Sequence, residues 1–393
     1  MKSRRLSRKR RRATIVTAAA ASVVAGVALV PNWSAGAAVT NDPTVDAATR
    51  ATFQKLADAV FTDRTEVLVD GAEKTGTRHT SGFSGSVRMS GGQTRLQSSA
   101  LGELRARKAR LAELGEKYSA GSTKVTLDAT RVTGRSARVA VTETTTLTYD
   151  KPAAKGPRTT GFQAHHELTF QADRSGDWQL TGIKDTDDGY LAVNQVAAPS
   201  VARARTTAAD DGPPDAPRAS TSWPARSNPK NTTTGAYDYK AMVAYATKYW
   251  NHYNPDYPDF NGEGAGGDCT NFVSQTLKAG GWKHVPGYTN DFHKWFGTAD
   301  IQSDSFVGVN EFSWFALSSK RVTPLADVYQ ADIGDVIQMD FNRDGSKDHT
   351  MVVTYRDRYG TPYVTYHSTN TYNRSVASLV ASYPNAYFYA YRT

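Results

Sequence analysis

The sequence predicts an α+β fold in which helices pack on antiparallel sheets, with a smaller accessory domain preceding a second α+β domain. Three observations carry this prediction. Apolar residues change from helical to alternating spacing within residues 39–195, and a stretch rich in Pro, Ala, Ser and Thr at 196–235 has no periodicity. Aromatic residues then become frequent from 236 to 393. A length of 393 residues suits about two domains that each bury a core.

Residues 1–38 are predicted to be a signal peptide. A basic start that contains eight Lys or Arg precedes the apolar run Ala13–Val30, and Ala35-Gly36-Ala37 offers a small-residue cleavage site. An uncleaved N-terminal anchor is the alternative. Removing the leader reduces the net charge of +9 to about +1, which argues against nucleic acid as a partner. The sequence therefore predicts a secreted protein that leaves the membrane after signal cleavage.

Residues 39–195 are predicted to be the accessory domain, with helices first and a four-stranded sheet after them. Helical spacing runs from Asp46 to Thr62 and again around Leu101 to Leu114. Alternating apolar residues then predict four antiparallel strands. His165 and His166 lie in the third of these strands, where adjacent side chains point to opposite faces and cannot share one metal ion. We interpret His166 as a core histidine.

Residues 196–235 are predicted to be a flexible linker, and 236–393 to be the second domain. A helical stripe covers 236–252 and ends at Asn254-Pro255. A second helix follows Gly266-Gly267 and places Cys269 in its first turn, with Asp268 as N-cap. Cys269 is the only cysteine of the chain, so it cannot form an internal disulfide. A helix N-terminus and a nearby imidazolium would lower its pKa and make the thiolate a nucleophile.

Two histidines downstream of Cys269 are candidate bases. Residues 333–340 and 348–353 are predicted to form a hairpin, with His349 at the start of the returning strand. A third strand ends at His367 and is followed by Asn370. A cysteine, a histidine and a polar residue form the generalised catalytic triad of cysteine hydrolases.

Four blocks in this region resemble the bacterial putative amidase domain family, which belongs to the papain-like cysteine hydrolases. The blocks are Gly-Gly-Asp-Cys-Thr-Asn-Phe-Val-Ser-Gln at 266–275, Gly-Asp-Val-Ile-Gln at 334–338, Asp-His-Thr-Met-Val-Val at 348–353 and Tyr-His-Ser-Thr-Asn-Thr-Tyr-Asn-Arg-Ser at 366–375. The resemblance covers about Tyr237 to Thr393 and leaves the accessory domain outside it.

This resemblance implies a papain-like fold and amide hydrolysis in peptidoglycan or another peptide substrate, through a thioester. It makes Cys269 the nucleophile, His349 the general base and His367 the residue that orients His349, with Asn370 as the competing third member. Related endopeptidases place an oxyanion-hole tyrosine shortly before the cysteine, and by this spacing Tyr257 is the candidate. We expect a secreted, cell-wall-associated monomer without cofactor or metal. The accessory domain would either target the enzyme or occlude its cleft as a propeptide.

Three alternatives remain at the level of sequence. Asp340, Asn342, Asp344 and Asp348 imitate the start of a calcium-binding loop, although the position for its bidentate Glu is Met351 and an Asp-Gly turn explains the pattern. The second alternative is a zinc amidase, but the sequence does not contain the His-Glu-x-x-His motif of such enzymes. A non-catalytic cell-wall-binding module could reuse the same cleft.

Overall fold

Two helices and five strands make up the N-terminal lobe of the structure, a computed structural model that describes residues 45–71, 87–152, 156–187, 192–196, 213, 215–233, 236–261 and 267–393. The elements of this lobe are α1 Ala47–Leu68, β1 Val87–Met89, α2 Gly91–Glu113, β2 Tyr118–Thr133, β3 Ser136–Tyr149, β4 Thr159–Ala172 and β5 Trp178–Asp185. The predicted helices and the four long strands are confirmed. The predicted signal peptide lies outside the described residues.

The C-terminal lobe contains the remaining helices and strands. They are α3 Tyr239–Tyr249, α4 Cys269–Ala279, α5 Asp304–Val307, α6 Val309–Ser318, β6 Thr323–Pro324, β7 Val336–Asp340, β8 His349–Arg356, β9 Pro362–Tyr366, β10 Thr371–Ser375, α7 Val376–Ser382 and β11 Tyr387–Arg392. The mixture of several helices with a large sheet confirms the predicted general class. Among the described residues, no helix is both long and apolar enough to cross a bilayer.

The core of the N-terminal lobe lies between α1 and the sheet. Phe53 of α1 stacks on Phe170 of β4 with ring centroids 4.0 Å apart, and the ring of Trp178 meets it edge-on at 5.6 Å. Asp46 starts the helix, because its carboxylate accepts a hydrogen bond from the N–H of Thr49 at 2.7 Å. Burying a phenylalanine of this kind stabilises the fold by about 1.5–3 kcal/mol.

The strands of both lobes form a single sheet of 11 strands, which the sequence did not predict. Its main path runs β1-β5-β4-β10-β9-β8-β7-β11-β6, with β3 and β2 added along the other edge of β4. The lobes meet where β10 pairs antiparallel with β4, through Thr371 with Phe162 and Tyr372 with Gly161. The upper part of the same edge, from His166 to Ala172, pairs with β5. The described residues between 45 and 393 consequently belong to one compact unit.

Side chains reinforce this junction between the lobes. Ser375 donates a hydrogen bond to the buried carboxylate of Glu116, and the Tyr149 hydroxyl donates to the carbonyl oxygen of Asn373 at 2.8 Å. Arg110 donates to the carbonyl oxygen of Ala381 at 2.9 Å. The accessory domain is therefore joined to its neighbour by backbone pairing and buried contacts, in contrast to the predicted tethering by a flexible linker.

The second half of the predicted linker packs on the C-terminal lobe. Ala219 forms a β-bridge with Phe388, and the ring of Trp223 lies 4.8 Å from that of Tyr329. Lys230 places its Nζ 2.6 Å from Oδ1 of Asp335, which is fully buried. Isolated side chains attach this segment to the lobe, without a regular helix or strand. Its sequence therefore shows no periodicity.

Two apolar cores lie on opposite faces of the C-terminal part of the sheet. The α4-side core includes Phe272 of α4 together with Val352 of β8. The α7-side core includes Leu379 of α7 together with Met351 and Val353 of β8. Alternate residues of β8 thus face different helices, as the two-residue period of a strand requires.

His166 is buried between two carboxylates in the N-terminal lobe. Its Nδ1 lies 2.8 Å from Oδ1 of Asp185 and its Nε2 lies 3.1 Å from Oε2 of Glu143. Burial alone would lower the pKa of His166, but these two partners outweigh it and raise the pKa to about 9. His166 is in the core, as predicted, whereas the side chain of His165 is 48% exposed.

This arrangement predicts that the lobe loses stability in alkaline solution. The His166 pKa rises from 6.5 to about 9 on folding, so its contribution is complete below pH 6.5 and is lost as the pH rises through 9. The linkage amounts to about 3 kcal/mol in the free energy of unfolding. Urea unfolding between pH 6 and 10 should show this loss, and His166→Gln should remove most of it. An unchanged slope in His166→Gln, or an equal effect of His165→Gln, would contradict the assignment.

Candidate active site

Cys269 is the first residue of α4, as predicted. Gly267 has a φ of +85°, a left-handed conformation that glycine adopts readily and that turns the chain into the helix. Asp268 occupies the N-cap position, but its side chain makes no capping hydrogen bond. The Asp268 carboxylate instead contacts other side chains of the candidate site, among them His367.

The Cys269 thiol is buried against the start of β8. Its Sγ lies 3.8 Å from Oγ1 of Thr270, and the backbone N–H of Thr350 donates a hydrogen bond toward it. Burial raises the pKa of Cys269 to about 11, outweighing these hydrogen bonds, and the nearby Asp268 carboxylate adds to the increase. The predicted lowering of this pKa is therefore wrong for this conformation, and the thiol is protonated at neutral pH.

The imidazole of His349 lies on the opposite face of the sheet from Cys269. Thr350 faces α4, because its Oγ1 lies 2.8 Å from Oγ1 of Thr270. His349 points the other way, and its ring meets the ring of Tyr366 edge-on at 4.8 Å, within the α7-side core. The structure therefore does not assemble the predicted pair of Cys269 and His349.

The protonation of His349 also differs from that of a general base. Burial lowers the pKa of His349 to about 3, and the positive charge of Arg374 contributes to the decrease. The imidazole is neutral at physiological pH. A base with this pKa has little tendency to hold a proton taken from a thiol, because efficient proton transfer needs a pKa near the working pH.

His367 lies on the same face of the sheet as Cys269. Val352 of β8 pairs with Thr365 of β9, and the antiparallel register continued by two residues sets His367 opposite Thr350. The ring of His367 stacks on Phe272 of α4 with centroids 4.1 Å apart. Of the two candidate histidines, His367 is thus the one on the α4 side.

Asp268 holds His367 in place. Nδ1 of His367 lies 2.6 Å from Oδ2 of Asp268, and Nε2 donates to the carbonyl oxygen of Tyr249 at 2.7 Å. A carbonyl oxygen only accepts, so a proton sits on Nε2, and Nδ1 faces the Asp268 carboxylate. Both ring nitrogens are occupied, so His367 does not orient His349, contrary to the prediction. The Asp268–His367 pair was missed because Asp268 was assigned to helix capping.

Asn370 and Tyr253 complete the surroundings of His367. The Tyr253 hydroxyl donates to Oδ1 of Asn370 at 2.7 Å, and its ring lies 4.3 Å from the ring of His367. The carbonyl oxygen of Asn370 accepts from the N–H of Gln163 in β4 at 2.9 Å. The side-chain amide of Asn370 therefore binds Tyr253, and the competing prediction that Asn370 orients His349 is not assembled either.

The hydroxyl of Tyr257, the oxyanion-hole candidate, contacts a residue of the last turn of α4. Its hydroxyl accepts a hydrogen bond from Nζ of Lys278 at 2.8 Å, in the last turn of the helix. Lys278 follows Cys269 by nine residues, which is about 13 Å along a helix axis. The neighbouring Pro258 carbonyl oxygen accepts from Nδ2 of Asn271 in the first turn at 2.9 Å, so this segment runs alongside the helix. The oxyanion-hole role of Tyr257 stays a prediction.

The acidic turn between β7 and β8 uses its carboxylates for backbone hydrogen bonds. Asp340 accepts from the N–H groups of Arg343 and Gly345, and Asp348 accepts from the N–H of Phe341. Burial raises the pKa of Asp348 to about 6. Within the described part of the chain, no three His, Cys, Asp or Glu side chains are grouped to hold a metal ion. These contacts fit the interpretation of the calcium-like pattern as turn chemistry.

A comparison with protein families places the candidate site within a known domain type. Residues 236–391 match the family "Putative amidase domain". This match supports a hydrolase that acts on amides. It includes Cys269, Asp268 and both candidate histidines, and it excludes the N-terminal lobe.

Two relatives from Bacillus subtilis (strain 168) share this region. The uncharacterized protein YhbB is 34% identical over 131 residues, which cover 33% of this chain and 40% of the relative. The uncharacterized protein YjcM is 32% identical over 152 residues, which cover 36% of this chain and 33% of the relative. The chain thus spans less than half the length of either protein.

One solved structure also matches, the intermembrane space region of the chloroplast protein ARC6. It is 14% identical with a TM-score of 0.24, and the match covers 36% of this chain and 98% of that one.

Proposed function

We propose that the C-terminal lobe hydrolyses amide bonds through a covalent thioester on Cys269. The observation that carries this proposal is the position of the chain's only thiol. It lies at the first residue of a helix inside the segment that matches the amidase domain, with the Thr350 N–H directed at its sulfur. A papain-like ancestry of this segment belongs to the same proposal.

In the proposed mechanism, His367 acts in place of His349. The Cys269 thiol first loses its proton to solvent, and the sulfur then attacks the carbonyl carbon of the amide. The first N–H groups of α4 stabilise the oxyanion of the tetrahedral intermediate. The imidazolium of His367 gives its Nε2 proton to the leaving amine as the C–N bond breaks, which leaves a thioester on Cys269.

Hydrolysis of the thioester completes the cycle. The now neutral His367 takes a proton from water, the resulting hydroxide attacks the thioester carbonyl, and the C–S bond breaks to release a carboxylic acid and the thiolate. Asp268 keeps its hydrogen bond to Nδ1 throughout and holds the ring. Proton exchange at Nε2 requires that the hydrogen bond to the carbonyl oxygen of Tyr249 opens when substrate enters. Because the pKa of the buried thiol is about 11, the active thiolate becomes more abundant as the pH increases.

We further propose that the substrate is peptidoglycan and that the protein is secreted. The support for secretion is the leader pattern at residues 1–38, and the support for the substrate is what the resemblance of the four sequence blocks to the bacterial putative amidase domain family implies. A non-catalytic wall-binding module is the second candidate. It is favoured by one observation, which is that only 1% of Cys269 is exposed to solvent.

Digestion of purified peptidoglycan tests the proposal. The full chain is expected to release fragments that carry one new amine and one new carboxylate for each bond cleaved, identified by mass. Cys269→Ala should lose at least about 1,000-fold in rate, as expected when a covalent nucleophile is removed. Equal release by Cys269→Ala would exclude the thioester mechanism, and binding to peptidoglycan without any release would support the wall-binding module.

A further inference from the structure

A cleft of about 480 Å³ lies between the two lobes, away from the candidate active site. Its walls come from the end of β3, from the turn between β8 and β9, and from the docked segment that contains Trp223. The β8–β9 turn at Asp357 follows Thr350 by seven residues, which is about 23 Å along a strand. The cleft is therefore separate from the surroundings of Cys269, and its volume falls within the range of ligand sites.

Four aromatic side chains line this cleft. Tyr149 and Tyr363 meet edge-to-face with ring centroids 5.5 Å apart, which fixes both rings. Trp223 adds a half-buried indole, and Tyr359 is 60% exposed. Tyr149 and Tyr363 are buried, with 5% and 9% of their surface exposed, so Trp223 and Tyr359 provide the ring faces that a ligand can reach.

The polar groups of the cleft carry both signs of charge, from the carboxylates of Asp70, Glu116, Asp150 and Asp357 and from the ammonium groups of Lys117 and Lys151. Oδ1 of Asp357 accepts from the N–H groups of Tyr359 and Thr361 at 2.9 and 2.8 Å, which fixes the direction of the carboxylate. Asp150 and Lys151 stand exposed at the end of β3. The carboxylate of Asp357 is thus held in one orientation. The side chains of Asp150 and Lys151 are exposed and can change their orientation.

This combination decides the class of ligand. An anion would meet the carboxylates of Asp70, Glu116, Asp150 and Asp357, and a cation would meet the ammonium groups of Lys117 and Lys151. A neutral polyhydroxylated ligand avoids both conflicts, because its hydroxyls donate to carboxylates and accept from ammonium groups. The C–H faces of sugar rings also match flat aromatic side chains. We propose that the cleft between the lobes binds a neutral oligosaccharide.

The proposal gives the N-terminal lobe a function that does not depend on catalysis by Cys269. Tyr149 and Asp150 come from that lobe, whereas Asp357 and Tyr359 come from the other, so the site exists only when the lobes are joined. The pairing of β4 with β10 holds this geometry. The inference goes beyond the proposed hydrolysis and favours targeting over occlusion as the task of the accessory lobe.

The test uses the full chain with Cys269→Ala, so that no hydrolysis can interfere. A tetrasaccharide of N-acetylglucosamine is titrated and heat is measured by calorimetry, with trilysine and triglutamate as charged probes. We expect saturable binding of the sugar and none of either peptide. Tyr359→Ala should weaken the sugar affinity by about 10-fold, as loss of one stacking contact implies.

Tyr288→Ala is the matched control, because Tyr288 is 82% exposed and does not line the cleft. Its sugar affinity should be unchanged. Both substitutions remove an exposed ring, so neither should prevent folding. No saturable sugar binding, tighter binding of a charged peptide, or equal effects of the two substitutions would each overturn the proposal. Failure of peptidoglycan hydrolysis would leave it untouched.

Discussion

Replacement of His367 by Asn is expected to reduce the rate of amide hydrolysis by about 100- to 10,000-fold, the usual contribution of a general acid–base residue. The physical reason is the loss of the proton that the imidazolium gives to the leaving amine. Asn can place its amide N–H near the position of Nδ1 and so keeps a donor toward the Asp268 carboxylate, which should let the fold survive. The measurement is kcat for release of new amines, combined with thermal unfolding to establish that the variant is folded.

His349→Gln is the matched control for this prediction. His349 faces the α7-side core and has a pKa of about 3, so its replacement should lower stability while kcat of the folded protein changes little. Asp268→Asn should give an intermediate loss of rate, because it removes the carboxylate that holds the His367 ring at Nδ1. Loss of activity in His349→Gln together with retained activity in His367→Asn would show that Cys269 pairs with His349. The placement of His349 on the opposite face of the sheet from Cys269 would then not describe the active conformation.

Replacement of Gly161 by Val is expected to disrupt the junction of the two lobes. A Cβ at this position would lie 2.5 Å from a ring carbon of Tyr372 and 2.8 Å from the backbone oxygen of Thr145. The backbone oxygen belongs to the neighbouring strand β3 and cannot move without breaking the sheet. We expect a loss of about 1–3 kcal/mol in the free energy of unfolding, measured by urea titration.

Gly182→Ala provides the matched control in the same sheet. A Cβ there would lie 3.6 Å from Cβ of Thr169, an ordinary contact, so stability should change little. Gly161→Val should also lower activity, because β4 binds the loop after His367 through the N–H of Gln163. Ser368 and Thr369 in that loop have φ of 63° and 60°, a conformation that non-glycine residues hold only with such support. Unchanged stability in Gly161→Val would show that the lobes do not share a sheet.

The elements of the fold could largely be predicted from local patterns, whereas the contacts between distant elements could not. The helix from Asp46 and the strands around Val139 and Phe162 follow from residue spacing. The pairing of Phe162 with Thr371 joins residues more than 200 positions apart. The sequences of both strands resemble those of ordinary strands and do not indicate that they pair with each other. Trp223 and Lys230 attach the supposed linker through single side chains, which leave no periodic signal.

The candidate site was predicted in part for a similar reason. The helix start at Cys269 follows from the Gly-Gly-Asp approach, and the two histidine-bearing strands follow from alternation. The face that each histidine occupies depends on strand register, and a shift of one residue reverses it. The spacing of His349 and His367 does not determine that register. The role of Asp268 required knowledge of which side chain lies opposite the helix start.

Acylation of Cys269 during turnover can be detected by mass spectrometry of an acid-quenched reaction. Peptidoglycan fragments are mixed with the full chain, the reaction is stopped in acid within the first turnovers, and the peptide that contains Cys269 is isolated. We expect this peptide to carry the added mass of the acyl part of the substrate, and alkaline treatment to remove that mass. Turnover without any adduct on Cys269, at a rate that Cys269→Ala reproduces, would contradict the account.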